Sequence, residues 1–481
     1  MPLRIAHLPS SDKLSHVFSF PVLQEIYPAD LIGELLSQQQ TWEQRERKLS
    51  QFVMVYLLIA WPLFLNQSLR SILLRLTSSL RLLGQLSLHI LPSRAALSYR
   101  RKQLGVRLLR TLMRRVCRPR ASHQTPGAFA FGLRLMGIDG TLEDLADTEE
   151  NAAFFGRTSS GDTRSPYPQM RCVHLVEIGT HAIVDTMAAP CHADEHRLGW
   201  GLLRSLGQDM LLLFDRGFVA AAFLEAVLAR GTQVLARLAQ GIFLHREQVL
   251  PDSSYLTTLD PRHCVGLQAP LQVRISEYRL RPPISKLLQE VTPSRLSKGS
   301  TQHNHEVGKL HRLITTLLDH EQASALDLVL LYHERWEVEL VIDETKNHLR
   351  LSQTPLRSRL PLLSLQEFYA IVLAHYALQS LMLHAAHTQP GLDPDRISFT
   401  LAVQELGDAL RLSPLMGHEQ VPTMLAQISA SLLHPDALVA PRRLRFNSRV
   451  TKQTQTRFRR KRPHHRMLSF PHLTFADILL I

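Results

Sequence analysis

Two short apolar runs in this chain each stop on an aspartate that is followed at once by turn residues: Met-Gly-Ile-Asp-Gly, ending on Asp139, and Leu-Leu-Leu-Phe-Asp-Arg-Gly-Phe, ending on Asp215. An apolar run without alternation fits a strand buried on both faces, which is the strand of an open α/β sheet. An acid at the carboxyl end of such a strand lies on the sheet rim, where open α/β proteins place their sites. Taken singly, an acid that ends a strand is more often a turn or helix-cap residue. Residues 133–138, 172–178, 181–187, 210–214 and 234–238 are predicted as strands, with helical patterns over 193–206 and 219–229. That alternation predicts an α/β layer.

The flanks read differently. Residues 18–91 carry apolar positions at helical spacing, as at Val53, Tyr56, Leu57 and Trp61, then Ile72, Leu73 and Leu76. After Pro92, basic residues (Arg94, Arg100, Arg101, Lys102, Arg107, Arg110) interleave with Leu97, Leu104, Leu108 and Leu109. Such an amphipathic basic helix suits docking on phosphates, or is simply a solvated face. Residues 241–324 become β-like and irregular, with Leu271, Val273 and Ile275 alternating against Gln272, Arg274 and Ser276, and read as an insertion. Helical patterning resumes at Ala325 and runs to Leu383, interrupted near Pro355 and Pro361. The stretch from Arg442 to Arg466 is densely basic and reads as a DNA-contacting or disordered tail. The predicted organisation is therefore a helical domain over 1–125, a catalytic domain over 126–400 with its insertion at 241–324, and a helical and basic C-terminal region over 401–481.

Charge points to the partner class. Lys and Arg number 55 against 42 Asp and Glu, a formal charge of +13, which favours DNA, RNA or an anionic membrane. The longest apolar stretch, residues 52–65, is too short to span a bilayer and contains Pro62, so no membrane partner is expected. The four cysteines show no CxxC spacing, which argues against structural zinc and a disulfide-stapled fold and fits a reducing cytosol.

The run Tyr-His-Glu-Arg-Trp-Glu-Val-Glu-Leu-Val-Ile-Asp-Glu-Thr-Lys carries the strongest constellation: Tyr332, Arg335, Glu339 and Lys346. On a regular helix these positions fall within an arc of roughly 60°. A guanidinium and an ammonium there can clamp phosphate while the carboxylate holds a metal. Ordinary Glu–Lys and Arg–Glu pairs on an exposed face are the alternative. Glu337 and Glu344 fall off the arc and are expected to be solvated. Asp144 and Asp147 are expected to cap a turn or helix, and Trp200 and Trp336 to pack in the core. Carboxylates suit Mg²⁺ or Mn²⁺ better than zinc. Phosphodiester chemistry with hydroxyl nucleophiles is served by two such ions held by a few acids.

The helix run resembles the Tyr-x2-Arg-x3-Glu-x6-Lys signature of the bacterial insertion-element-four family of DDE transposases, matched at Tyr332, Arg335, Glu339 and Lys346 with no departure in spacing. Residues 137–151, with Phe155 and Gly156, resemble the family's first-aspartate block, and Asp215-Arg216-Gly217-Phe218 its second. The resemblance implies an α/β, ribonuclease H-like catalytic core with a β-rich insertion, a helical N-terminal domain and a basic C-terminal tail. It implies Asp139, Asp215 and Glu339 as catalytic metal ligands for two Mg²⁺ ions, with Mn²⁺ possible. Tyr332, Arg335 and Lys346 would contact phosphates of the element end; Arg216, beside Asp215, is expected to touch DNA or orient that carboxylate, with a structural ion pair an equal alternative. The expected protein is a DNA transposase. It would cleave at the terminal inverted repeats of an insertion sequence and join the released 3′-hydroxyl to target DNA, as a homodimer at synapsis, nucleoid-associated in a bacterial cytoplasm. A catalytically inactive DNA-binding descendant and a metal-dependent nuclease of the same fold are the alternatives; the first is disfavoured because all three acids are present.

Overall fold

The strands expected around the two acids all form. The structure is a computed structural model that describes residues 20–42, 49–64, 67–84, 86, 91–160, 163–279, 310–350 and 354–443. Strands β1 (Leu133–Asp144), β2 (Gln169–Glu177), β3 (Ala182–Pro190), β4 (Met210–Phe214) and β5 (Gln233–Arg237) lie in the order β3-β2-β1-β4-β5. β1, β4 and β5 run parallel, whereas β1, β2 and β3 form an antiparallel meander. That order and orientation is the ribonuclease H-like arrangement. β1 runs past its apolar portion to Asp144 because β2 pairs with it as far as Asp144↔Gln169.

The β-rich segment does not stand apart. Its strands β6 (Gln248–Val249), β7 (Tyr255–Leu259), β8 (Leu271–Arg279) and β9 (Leu310–Thr315) extend the same sheet, β9 pairing antiparallel with β5 at Ile314↔Ala236. Arg274 in β8 is fully buried; it donates to Ser254 Oγ (2.7 Å) and the Ala323 carbonyl (2.6 Å) and pairs with Asp252. Asp252 also accepts from Ala325 N at 2.7 Å, so this segment fixes the start of the helix that follows it.

Period-two alternation assigns the sheet faces. Met136, Ile138, Leu212 and Phe214 share one buried cluster, while Leu135, Leu211 and Leu213 join Leu328 and Tyr332 in another. Asp139 and Asp215 continue the second set, so both face the helical segment that carries Tyr332.

The helices before β1 are α1 (Ala29–Gln38), α2 (Gln51–Ala60), α3 (Leu69–Leu76), α4 (Arg94–Leu104) and α5 (Arg107–Val116). Ser50, Ser68 and Ser93 cap α2, α3 and α4, each accepting from a backbone N–H three residues on. The basic segment is two helices, because Gly105 takes φ +67° and ends α4. It is also less exposed than expected. Arg100 and Arg101 are each only 8% exposed. Arg101 donates to Gln366 (2.9 Å), Ser358 (3.0 Å) and the Leu363 carbonyl (3.1 Å) and stacks over Trp61. Its charge serves internal carbonyls rather than DNA phosphates. Arg107, Arg110 and Arg115 remain exposed.

Past β9 come α6 (Ala325–His333), α7 (Trp336–Asp343), α8 (Pro361–His387), α9 (Phe399–Leu412) and α10 (Val421–Leu432). α8 is long and apolar enough to cross a membrane, yet 94% of its apolar window is buried inside the protein. It packs against α2, α5, α9 and α10 in one cluster that joins the helices before β1 to those after α8. The basic residues from Arg445 to Arg462, with His464 and His465, lie outside the described residues.

Candidate active site

Parallel pairing of β1 with β4 sets Ile138 beside Phe214, and the next residue on each strand is an acid. Asp215 turns the chain at once, its Oδ1 accepting from Gly217 N at 2.8 Å. Asp139 Oδ1 accepts from Gly140 N at 2.8 Å. Burial, with the charges of Glu339 and Asp215, pushes the Asp139 carboxyl up to about 6, against the opposing pull of Arg335 and the Gly140 bond. Asp139, Asp215 and Glu339 thus share one electrostatic neighbourhood.

The third acid arrives on an irregular helix. Ser324 caps α6, a break at Glu334 and Arg335 separates it from α7, and α7 passes into a π turn over Glu344–His348. Such π turns recur at functional sites. Despite the breaks, the four signature residues all face β1 and β4. Tyr332 is buried and its hydroxyl donates to the Phe214 carbonyl (3.3 Å), bracing the end of β4 beside Asp215. Burial pushes its phenol well above the usual range. Arg335 spans the acids, 3.3 Å from Asp139 Oδ2 and 3.0 Å from Glu339 Oε1. Burial opposes its charge, but Tyr332, Glu339 and Asp139 outweigh burial and raise its pKa. Lys346 donates to the Leu142 carbonyl (2.6 Å) and to Thr141 Oγ1, tying the π turn to β1.

α7 approaches β1 so closely that a Cβ on Gly137 would lie 2.2 Å from Val338 Cγ2. Gly137 precedes Asp139 by two residues, and Val338 adjoins Glu339. The glycine is what lets the third acid reach the other two.

Several expectations need correction. Glu337 and Glu344 are buried, at 6% and 5% exposure, not solvated. His181, in the turn between β2 and β3, binds both: Nε2 lies 2.9 Å from Glu337 Oε2 and Nδ1 lies 3.1 Å from Glu344 Oε1. Asp395 Oδ1 sits 3.0 Å from the same Nε2. His181, Glu337 and Asp395 have the donor types to hold a metal, with ligand atoms all within 4.8 Å of one another. Asp144 and Asp147 cap nothing: Asp144 accepts from Gln169, Asp147 pairs with Arg157, and Thr148 caps the next helix. Trp200 is 39% exposed, with its ring edge-on to Phe223. Arg216 is exposed next to Asp215.

A further acid escaped sequence reasoning. Glu195 pairs with Arg171 at 2.7 Å, and its carboxylate covers the position a Gly140 side chain would occupy. Burial raises its pKa, and Asp215 adds to the rise. For the His181 group, the available signal was the seven-residue spacing of Glu337 and Glu344, which returns to one helix face.

Residues 17–114 match the insertion element 4 transposase N-terminal family, and residues 135–373 the transposase DDE domain family. The chain is 26% identical over 377 residues to the transposase InsG for insertion sequence element IS4 of Escherichia coli (strain K12), spanning 77% of this chain and 78% of that protein. Among solved structures, the chain is similar to the piggyBac transposase in its synaptic complex with hairpin DNA, at 13% identity over 86% of each chain and a TM-score of 0.43.

Proposed function

The chain belongs to the insertion element 4 family of DDE transposases, a DNA transposase that uses divalent metal, and on that premise we propose that Asp139, Asp215 and Glu339 are its catalytic acids. The observation that carries this reading is Arg335 lying between Asp139 and Glu339, a cation held where acids from distant parts of the chain converge. Their donors are carboxylate oxygens, and their mutual repulsion is relieved by added positive charge, so the residues fit Mg²⁺, with Mn²⁺ as a substitute and two ions the expected number. When bound, such ions lower the pKa of an attacking water or 3′-hydroxyl and stabilise the departing oxygen.

The chain's own residues do the rest. Tyr332 and Lys346 brace the ends of β4 and β1, fixing where the acids stand. Arg335 is poised to exchange a carboxylate for a phosphate oxygen of the element end, and Lys346 and exposed Arg216 extend that contact along the backbone. In this reading Tyr332 contributes by support, because its phenol is buried. Helices α1 to α5 within residues 1–125 bind the terminal inverted repeats, residues 126–400 carry the chemistry, and within residues 401–481 α9 and α10 complete the helical core while the basic residues add DNA contacts. Bringing two ends together calls for two copies of the chain, hence a homodimer at synapsis.

The test is purified protein with Mg²⁺ and a duplex carrying the element's own terminal repeat. Glu339→Gln removes charge with little change of shape; it is expected to bind the duplex and neither nick nor join it. Cleavage by the variant at the wild-type rate refutes the assignment. Binding itself is expected to weaken steeply with salt, as counterions are released.

A further inference from the structure

The face of α7 opposite Glu339 is anchored by one imidazole. Glu337 lies two residues from Glu339, roughly 200° around the helix, whereas Glu344 returns to within about 20° of Glu337. Both acids, with Asp395, converge on His181, which is 3% exposed. Each ring nitrogen faces a carboxylate, and only the doubly protonated ring donates on both sides. The carboxylates of Asp395, Glu344 and Glu337 accordingly raise the His181 pKa despite burial, while Glu344 is held down at about 2.

The anchor is rooted in the sheet. His181 takes φ +57° in the turn that joins β2 to β3, and β2 pairs directly with β1, the strand of Asp139. Around it, His375 Nε2 and Gln379 Nε2 reach Glu344 Oε2 at 3.0 and 2.8 Å from α8. Arg443 ties Glu334 (2.8 Å) to Asp393 (2.6 Å) and lies 3.5 Å from Asp395. This grip matters because α7 is broken at one end and passes into a π turn at the other. The irregular turns interrupt the regular i→i+4 ladder on both sides of α7, so side-chain contacts share with the backbone in setting its rotation.

We propose that His181 is a positioning residue of the catalytic centre: by holding Glu337 and Glu344 against the β2–β3 turn, it fixes the rotation of α7 that aims Glu339 at Asp139 and Asp215. This rests on the reading of Glu339 as a metal-holding acid. Buried at 3% exposure, His181 acts through the helix.

The experiment uses the full chain, stripped of metal, with Mn²⁺ as probe. Mn²⁺ binding is followed without DNA by electron paramagnetic resonance, end-duplex binding by anisotropy, and folding by circular dichroism. His181→Gln is expected to keep its fold and its duplex affinity while the Mn²⁺ half-saturation point rises about tenfold, the low end of what losing a partner that orients metal ligands costs. Cleavage is expected to recover in part at high Mn²⁺. A merely structural role would lower folding and duplex binding together and leave the half-saturation point of the folded fraction unmoved, which overturns the proposal. Should His181→Gln fail to fold, Glu337→Gln keeps the volume and leaves Glu344 and Asp395 on the imidazole; wild-type Mn²⁺ binding by that variant overturns the proposal equally. Glu339→Gln measured in parallel separates the premises, and a Mn²⁺ site that survives Glu339→Gln but is lost in His181→Gln would put the ion on the imidazole itself and overturn the proposal. If it binds Mn²⁺ and cleaves as wild type, the reading of Glu339 fails and the proposal with it. If it loses both while His181→Gln loses neither, only the positioning role fails.

Discussion

Replacing Gly137 by alanine tests how tightly the third acid depends on helix packing. The added Cβ would stand 2.2 Å from Val338 Cγ2 and 3.5 Å from Ile178 Cδ1. Carbon atoms settle at roughly 3.5–4.0 Å, so α7 must retreat by about 1.5 Å or Val338 must leave its rotamer. Val338 is fully buried and stiff at χ1, and retreat of the helix is the easier adjustment. Overpacking of this kind costs roughly 1–3 kcal/mol of stability. Retreat carries Glu339 away from Asp139, and a misplacement of about 1 Å costs on the order of 100-fold in rate, or about 2.7 kcal/mol. Urea denaturation reads the first effect. Single-turnover nicking of a labelled end duplex at saturating Mg²⁺ reads the second, with duplex affinity unchanged. Val338→Ala removes the clashing methyl, so the double variant Gly137→Ala/Val338→Ala should regain most of the lost rate. Wild-type nicking by Gly137→Ala, or no recovery in the double variant, would refute the idea that contact at Gly137 sets the reach of Glu339.

Three further outcomes are expected. In metal-free protein the Asp139 carboxyl is raised to about 6, above its unfolded value near 4. Its contribution to stability is therefore complete below about pH 4 and lost as pH rises through about 6, whereas Mn²⁺ affinity must climb over that same window as the carboxylate forms. Thermal melts with and without Mn²⁺ across the window check both signs, and a Mn²⁺-induced shift that ignores pH contradicts them. Arg101→Ala should lower stability by roughly 1–3 kcal/mol, since it leaves the buried Gln366 Oε1 without its donor, and should leave the salt dependence of DNA binding unchanged. If exposed Arg107 contacts a phosphate, Arg107→Ala should do the opposite, reducing the slope of log affinity against log salt by about 0.9 with an unaltered melt.

The residues that announce themselves in the sequence are those whose surroundings are local. β4 ends where its apolar run meets Asp215, whose carboxylate turns the chain by accepting from Gly217 N. Ser50, Ser68 and Ser93 mark helix starts by bonding to backbone only three residues away. The spacing of Tyr332, Arg335, Glu339 and Lys346 points one helix face at the sheet even through a break and a π turn. Glu337, Glu344 and Arg101 read as solvent-facing because charge is normally left in water. Each is buried instead by a partner far along the chain: His181 for the two acids, Gln366 and Ser358 for the arginine.

By itself, then, the sequence determined the acid that ends β4 and the succession of core elements along the chain, since these follow from periodicity along the backbone, while the family came from the signature's resemblance to known transposases. Tertiary structure alone decided how far α7 sinks onto Gly137, which side of α7 the imidazole grips, and that the β-rich segment lengthens the central sheet. These depend on contacts between segments distant in the chain, whose free energies are set by fit and desolvation in three dimensions and leave no periodic trace in one.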